Sequence, residues 1–228
     1  EITYGDWSSD VCSSDLLRPD EFEVIEDGIK RPIDSVQFRP SDGQPGLFAI
    51  FLDEYHTASG PEAEAVRRVF VDFVMQRLSA SDRVLVVKPL DSLTRIQPLT
   101  DRGLIRDAIE SFEGRKGEYT PRTAFERNYI ATDPARIELT RAQISTSALQ
   151  ALATEMGAIQ GGRKSLLAVS EGFRRPVRRR GEGALPLVET VINAANRSGA
   201  AIYAVDPRAL TADTGTLTGP EVETLKSL

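Results

Sequence analysis

Residues 46–61, GLFAIFLDEYHTASGP, decide the fold. Leu47 to Leu52 is a continuous apolar run of strand length that stops at Asp53, the pattern of a strand buried on both faces of a parallel sheet. Immediately after it, Val66, Val69, Phe70, Phe73, Val74 and Leu78 recur at spacings of three and four, with Glu64, Arg67, Arg68 and Asp72 between them, so residues 61–78 are expected to form an amphipathic helix. A strand running into a helix through a polar tip poses the functional question. Asp53, Glu54, Tyr55, His56 and Thr57 form either a working loop or the capped end of a strand.

The alternation continues downstream. DRVLVVKP (residues 82–89) reads as a second strand and LTRIQPL (93–99) as a shorter edge strand. TDRGLIRDAIESF (100–112) reads as a helix with Thr100 as N-cap and Leu104, Ile105, Ala108, Ile109 and Phe112 on its inner side. A long helix is expected over 134–159, then strand KSLLAVS (164–170), helix LPLVETVINAANRSG (185–199) stopped at Gly199, and strand AAIYAVDP (200–207). Strands alternating with helices predict an α/β fold, a doubly wound, mostly parallel sheet flanked by helices. Ligands of such sheets bind at the carboxyl ends of the strands, which singles out Asp53 to Thr57, Ser170-Glu171-Gly172 and Asp206. Asp206, followed by Pro207, reads as a strand-end turn residue and not as a catalyst.

Upstream, DEFEVIEDGIKRPIDSVQFRP (20–40) alternates apolar and charged residues around Asp27-Gly28, a β-hairpin signature, and PSDGQPG (40–46) is a turn-rich linker. Residues 17–45 are therefore taken as a hairpin module and 46–228 as the α/β domain, with PEVETLKSL at the end resembling the start of one more helix. The only Trp and only Cys fall in DWSSDVCSSDL (6–16), which has no structural period and resembles the in-frame translation of a common sequencing adapter. Residues 1–16 are accordingly set aside as non-native, and the remaining chain then lacks cysteine, so redox compartment is not legible. There is neither an initiator Met nor a signal peptide, and Glu1 is not read as the gene's start.

With 228 residues, 40% of them apolar and 27% charged, the chain is long enough for a full core. Its net charge of −6 argues against general nucleic-acid affinity, and no apolar run reaches the length of a membrane span.

Taken together, these stretches resemble a von Willebrand factor A-like domain of the exported bacterial type. The hairpin DEFEVIEDGIKRPIDSVQF is similar to the element DDFEVxEDGxxQxIxxF that precedes such domains. FAIFLDEYHT, residues 81–112, LLAVSEGF and GAAIYAVDPRAL then follow in the family's order, covering about residues 17–210. The resemblance implies a metal-ion-dependent adhesion site holding Mg²⁺, Ca²⁺ or Mn²⁺ and an acidic group of a protein partner, in a periplasmic or extracellular setting. Asp53 matches the first Asp of the family's Asp-x-Ser-x-Ser, Thr57 keeps a hydroxyl at the second Ser, and Tyr55 replaces the first. Glu171 stands for the third-loop Asp, and the second-loop Thr falls in GRKGEYTPRT, with Thr120 ahead of Thr123. With two small ligands altered, the implied site is degenerate.

Two more features bear on partners. His56, the only histidine, lacks a second His or Cys to complete a transition-metal set and is expected to face solvent in its loop. Arg174, Arg175, Arg178, Arg179 and Arg180 crowd into the loop after Glu171, as either a solvated run or a set of forks for a partner's carboxylates or phosphates. The function expected is a non-enzymatic protein-interaction module. One alternative is a phosphotransfer enzyme of the haloacid dehalogenase type built on Asp53. It lacks the second Asp, where Tyr55 stands, and the late paired acids that would hold Mg²⁺. A purely architectural domain of a larger exported protein is the other alternative.

Overall fold

The structure, a computed structural model, describes residues 23–26, 29–31, 44–92, 96–172 and 187–211. The chain divides into two units, Glu1–Asp42 and Gly43–Leu228. In the first, β1 (Val24–Glu26) pairs antiparallel with β2 (Ile29–Arg31), Glu26 opposite Ile29. The expected turn residues Asp27 and Gly28, the apolar residues Ile33, Val36 and Phe38, and all of residues 1–16 lie outside the described residues.

The second unit is α/β. Among the described residues its sheet has four strands in the order β4-β3-β5-β6: β3 (Leu47–Leu52), β4 (Arg83–Val87), β5 (Lys164–Val169) and β6 (Ala200–Val205). All pairings are parallel, with Leu47 opposite both Arg83 and Lys164. The apolar run of β3 has no exposed residue because it is central, with a strand on each side and a helical layer on each face.

On one face Phe48, Ile50 and Leu52 meet α1 (Pro61–Gln76), α2 (Arg102–Glu110) and α6 (Pro207–Thr211) through Val66, Phe70, Ile105, Ile109 and Leu210. On the other, Leu47, Ala49 and Phe51 meet α4 (Pro134–Ala158) and α5 (Leu187–Ser198) through Leu152, Met156, Val191 and Ala195. α3 (Ala124–Ile130) packs on α4. Helices on both faces of a parallel sheet make this a doubly wound, Rossmann-like α/β fold. No helix among the described residues is long and apolar enough to cross a membrane.

Three local expectations fail for identifiable reasons. The stretch read as an edge strand contributes one antiparallel bridge, Leu99 to Val84, with both hydrogen bonds at 2.8 Å. Pro98 has no N–H to extend the ladder and the chain leaves at once for α2, while residues 93–95 lie outside the described set. The N-cap of α2 is Asp101, not Thr100: its carboxylate accepts from the Gly103 and Leu104 amides at 2.8 and 3.2 Å. Leu104 is 55% exposed, because Ile105 and Ile109 set the inner face and the residue before Ile105 stands about 100° round the helix.

Chain order starts at β3, moves outward to β4, then returns to the other side of β3 for β5. The strand order therefore reverses between β3 and β5, and the crevice outside their carboxyl ends is where a doubly wound sheet binds ligands. Asp53 and Ser170 are the first residues beyond those two ends.

The two-layer core makes one prediction. Phe70→Ala removes a fully buried ring and should cost about 3–5 kcal/mol in urea unfolding, whereas Leu104→Ala should cost under about 0.5 kcal/mol.

Candidate functional site

The chain cannot leave β3 freely. Asp53 is fully buried, and its own N–H is tied to the Val169 carbonyl at the end of β5 (3.1 Å). Burying a carboxylate is costly unless hydrogen bonds replace its water, and three side chains do so here. Ser145 of α4 donates to Oδ1 (2.8 Å), Ser170 donates to Oδ2 (3.0 Å), and His56 Nδ1 lies 2.8 Å from Oδ2. A carboxylate accepts, so Nδ1 carries the proton. His56 is thus buried and does not face solvent as expected. The short 3₁₀ turn Glu54–His56 folds its ring back onto the Asp53 carboxylate.

Tyr55 in that turn points the other way. Its hydroxyl donates to Glu126 Oε1 (2.9 Å) and accepts from Tyr129 (3.3 Å). Glu126 also takes Arg115 Nη1 at 2.7 Å and the Arg122 amide at 2.6 Å, while Thr123 caps α3 by accepting from the Glu126 amide at 3.1 Å. Arg141, fully buried on α4, lies over the rings of Tyr55 and Tyr119 at 4.7 and 5.2 Å and donates to the carbonyls of Arg115 and Glu118. Burial pushes the Glu126 carboxyl up, but Arg115, the Arg122 amide and the Tyr55 hydroxyl outweigh it and hold it down at about 2. Burial first, then the Tyr129 and Glu126 hydrogen bonds, push the Tyr55 phenol far above its ordinary range, so it remains a donor.

Residues 111–123 run across the strand ends and are braced to both neighbouring loops. The Arg115 amide donates to the Glu54 carbonyl (2.7 Å) and the Lys116 amide to the Thr57 carbonyl (3.0 Å). Gly114 permits this approach, since a Cβ there would fall on the Ala58 carbonyl oxygen. Glu171 joins the same brace. Its N–H donates to the His56 carbonyl (2.9 Å), its Oε1 accepts from the Ala58 amide (2.5 Å), and its Oε2 takes the Lys116 ammonium.

Of the residues implied as metal ligands, Asp53, Thr57 and Glu171 are gathered round the crevice. Thr57 is buried and its hydroxyl has no partner among the described residues. Thr120 is exposed and contributes its carbonyl, which accepts from Arg115 at 3.0 Å. Hard divalent cations need about six well-placed oxygens. In the arrangement present these residues do not form such a cradle, because both Asp53 oxygens and both Glu171 oxygens already accept from protein donors. No three of His, Cys, Asp and Glu converge among the described residues.

Asp206 stays on its own strand end. The Arg208 guanidinium holds its carboxyl below the usual range, and it accepts the Arg208 amide at 3.0 Å at the start of α6. Arg174, Arg175, Arg178, Arg179 and Arg180 lie outside the described residues. Beside the crevice, between the ends of β3 and β4, is a cavity of about 350 Å³ whose lining includes Glu54, Lys88, Glu113, Arg115, Arg122 and Glu126, charges that pair with one another.

Ser145, Arg141 and Glu126 had not been singled out, yet signals for them exist. Ile137, Arg141, Ser145, Leu149 and Met156 share the buried stripe of α4, so an arginine and a serine stand where a helix normally presents apolar residues. Thr123 to Glu126 has the Thr-x-x-Glu capping-box spacing. Compared with known proteins, the chain matches no protein-family model and no curated protein.

The depressed Glu126 carboxyl stabilises the fold above its ordinary pKa, and that contribution is lost as pH falls from about 4.5 through about 2. Glu126→Gln should remove this segment of the acid-unfolding curve and, at pH 7, cost about 3 kcal/mol or more by leaving Arg115 unpaired. Gly114→Ala should cost about 2 kcal/mol or more in urea unfolding, since the obstacle is backbone.

Proposed function

We propose that the chain is a non-enzymatic protein-interaction module of the von Willebrand factor A-like kind, engaging its partner through the loops beyond β3 and β5. The observation that carries this reading is the position and state of Asp53. It sits at the point where strand order reverses, fully buried, with both carboxylate oxygens accepting side-chain hydrogen bonds. A nucleophilic or phosphate-accepting aspartate needs an oxygen open to substrate, and the haloacid dehalogenase reading gains no support here. Around Asp53 the brace of residues 54–58, 115–116 and 170–171 makes a pre-ordered rim, which lowers the entropy cost of binding. The arginines at 174, 175, 178, 179 and 180 follow that rim directly in sequence and favour a partner with an acidic group.

A second reading, an architectural domain, has one observation of its own. Among the described residues β6 is a sheet edge without charged residues, and Ile202 on it and Val188 and Ile192 on α5 are exposed.

Selection of displayed random peptides on the full chain tests both. Acidic peptides should be enriched, and their affinity should fall at least about tenfold when Arg174, Arg175, Arg178, Arg179 and Arg180 are changed together to Ala, with Ile202→Lys harmless. Loss of binding with Ile202→Lys alone would favour the architectural reading. Hydrolysis of an aryl phosphate that Asp53→Asn abolishes would overturn the non-enzymatic one.

A further inference from the structure

The crevice has an electrostatic arrangement that its charges explain. Glu171 has a side chain only 4% exposed, and a buried carboxylate is retained only where a cation or several hydrogen bonds compensate it. Its compensation comes from Lys116, which sits in residues 114–123, the same loop in which a hydroxyl ligand was expected. Lys116 is anchored from its own backbone, whose N–H holds the Thr57 carbonyl, and Gly114 lets that loop lie against Thr57 and Ala58. The ammonium therefore arrives at a fixed place. Thr57, whose carbonyl takes the Lys116 amide, keeps a buried hydroxyl with no partner among the described residues, and Asp53 lies at the end of the strand paired with that of Glu171. The positive charge beside Glu171 at this crevice is thus an ammonium supplied by the chain itself.

We propose that Lys116 is a built-in cation that replaces a divalent metal at the crevice, neutralising Glu171 and holding residues 111–123 to the loops beyond β3 and β5, so that the binding face is assembled without metal. The inference rests on the reading of this crevice as the binding face. Its side chain is 41% exposed, so the ammonium binds Glu171 on one side and presents its other side to solvent at the rim. There it can receive an acidic group directly, as a bound ion would.

The chemistry separates the two cations. A lysine ammonium is a compact point charge with three donors, whereas Mg²⁺ or Mn²⁺ collects about six oxygens. Removing Lys116 frees Glu171 Oε2, and that carboxylate oxygen, with water completing the shell, should accept a divalent ion for which the native arrangement has no free carboxylate oxygen.

Thermal unfolding of the full chain in EDTA and in millimolar Mn²⁺ tests this. The native chain should have the same Tm in both. Lys116→Ala should unfold several degrees lower in EDTA and recover by about 3 °C in Mn²⁺, a response that Lys116→Ala with Glu171→Ala should lack. Should Lys116→Ala fail to fold, Lys116→Gln carries the same comparison. A native Tm raised by Mn²⁺ and lowered by EDTA would overturn the proposal, because the crevice would then hold metal with Lys116 in place. A variant destabilised yet indifferent to Mn²⁺ would overturn it too, leaving an ordinary ion pair, as would a variant as stable as the native chain. Failure of the peptide selection leaves these outcomes unchanged, so the two readings fail separately.

Discussion

Six consecutive buried residues, Leu47–Leu52, constrain everything else. A strand buried on both faces needs a helical layer above and another below, and one flanked on both edges needs β4 and β5. Its polar end cannot emerge into water, so Asp53 must find donors inside the protein. Ser145 comes from α4, 92 positions along the chain, and Ser170 comes from just beyond β5, 117 positions along. The fold's most buried strand thus determines where its most demanding polar group sits, and the surrounding loops are shaped by the need to satisfy it.

Charge compensation at long sequence distance is the means. Tyr55 and Glu126 tie the loop after β3 to α3, Arg115 and Glu126 tie residues 111–123 to α3, and Lys116 and Glu171 tie residues 111–123 to the loop after β5. Exposed ion pairs contribute little, but these carboxylates are removed from water, and losing a partner leaves an uncompensated buried charge. Arg141 is compensated differently: its guanidinium faces two aromatic rings and two carbonyls, with a Glu138 carboxylate oxygen 4.0 Å away. The acidic and hydroxyl groups gathered at these strand ends are thus held chiefly by donors and cations from the protein itself.

How far all this can be read from residues alone differs by level. Hydrophobic period located β3, β4, β5, β6, α1, α4 and α5 closely, because each buries a face whose spacing is written in consecutive residues. It failed at the stretch ending in Leu99, where Pro98 stops a ladder, and at Leu104, where neighbouring apolar residues compete for one inner face. α3 went unread, since seven residues carry too little period to be heard, although its Thr-x-x-Glu start was present.

By itself, then, the sequence determined the α/β class and the places of Asp53, Thr57 and Glu171 just beyond strand ends, because those follow from local pattern and chain order. Only the tertiary structure decided which partners these residues have. His56 turns inward to Asp53, Ser145 arrives from α4, and Lys116 reaches Glu171, all through contacts between residues distant in sequence or through a backbone turn that no period announces. Hydrophobic burial is repetitive and leaves a readable rhythm. Compensation of a buried charge is a single event between two side chains, and the distance between them in space is settled by the packing of everything else.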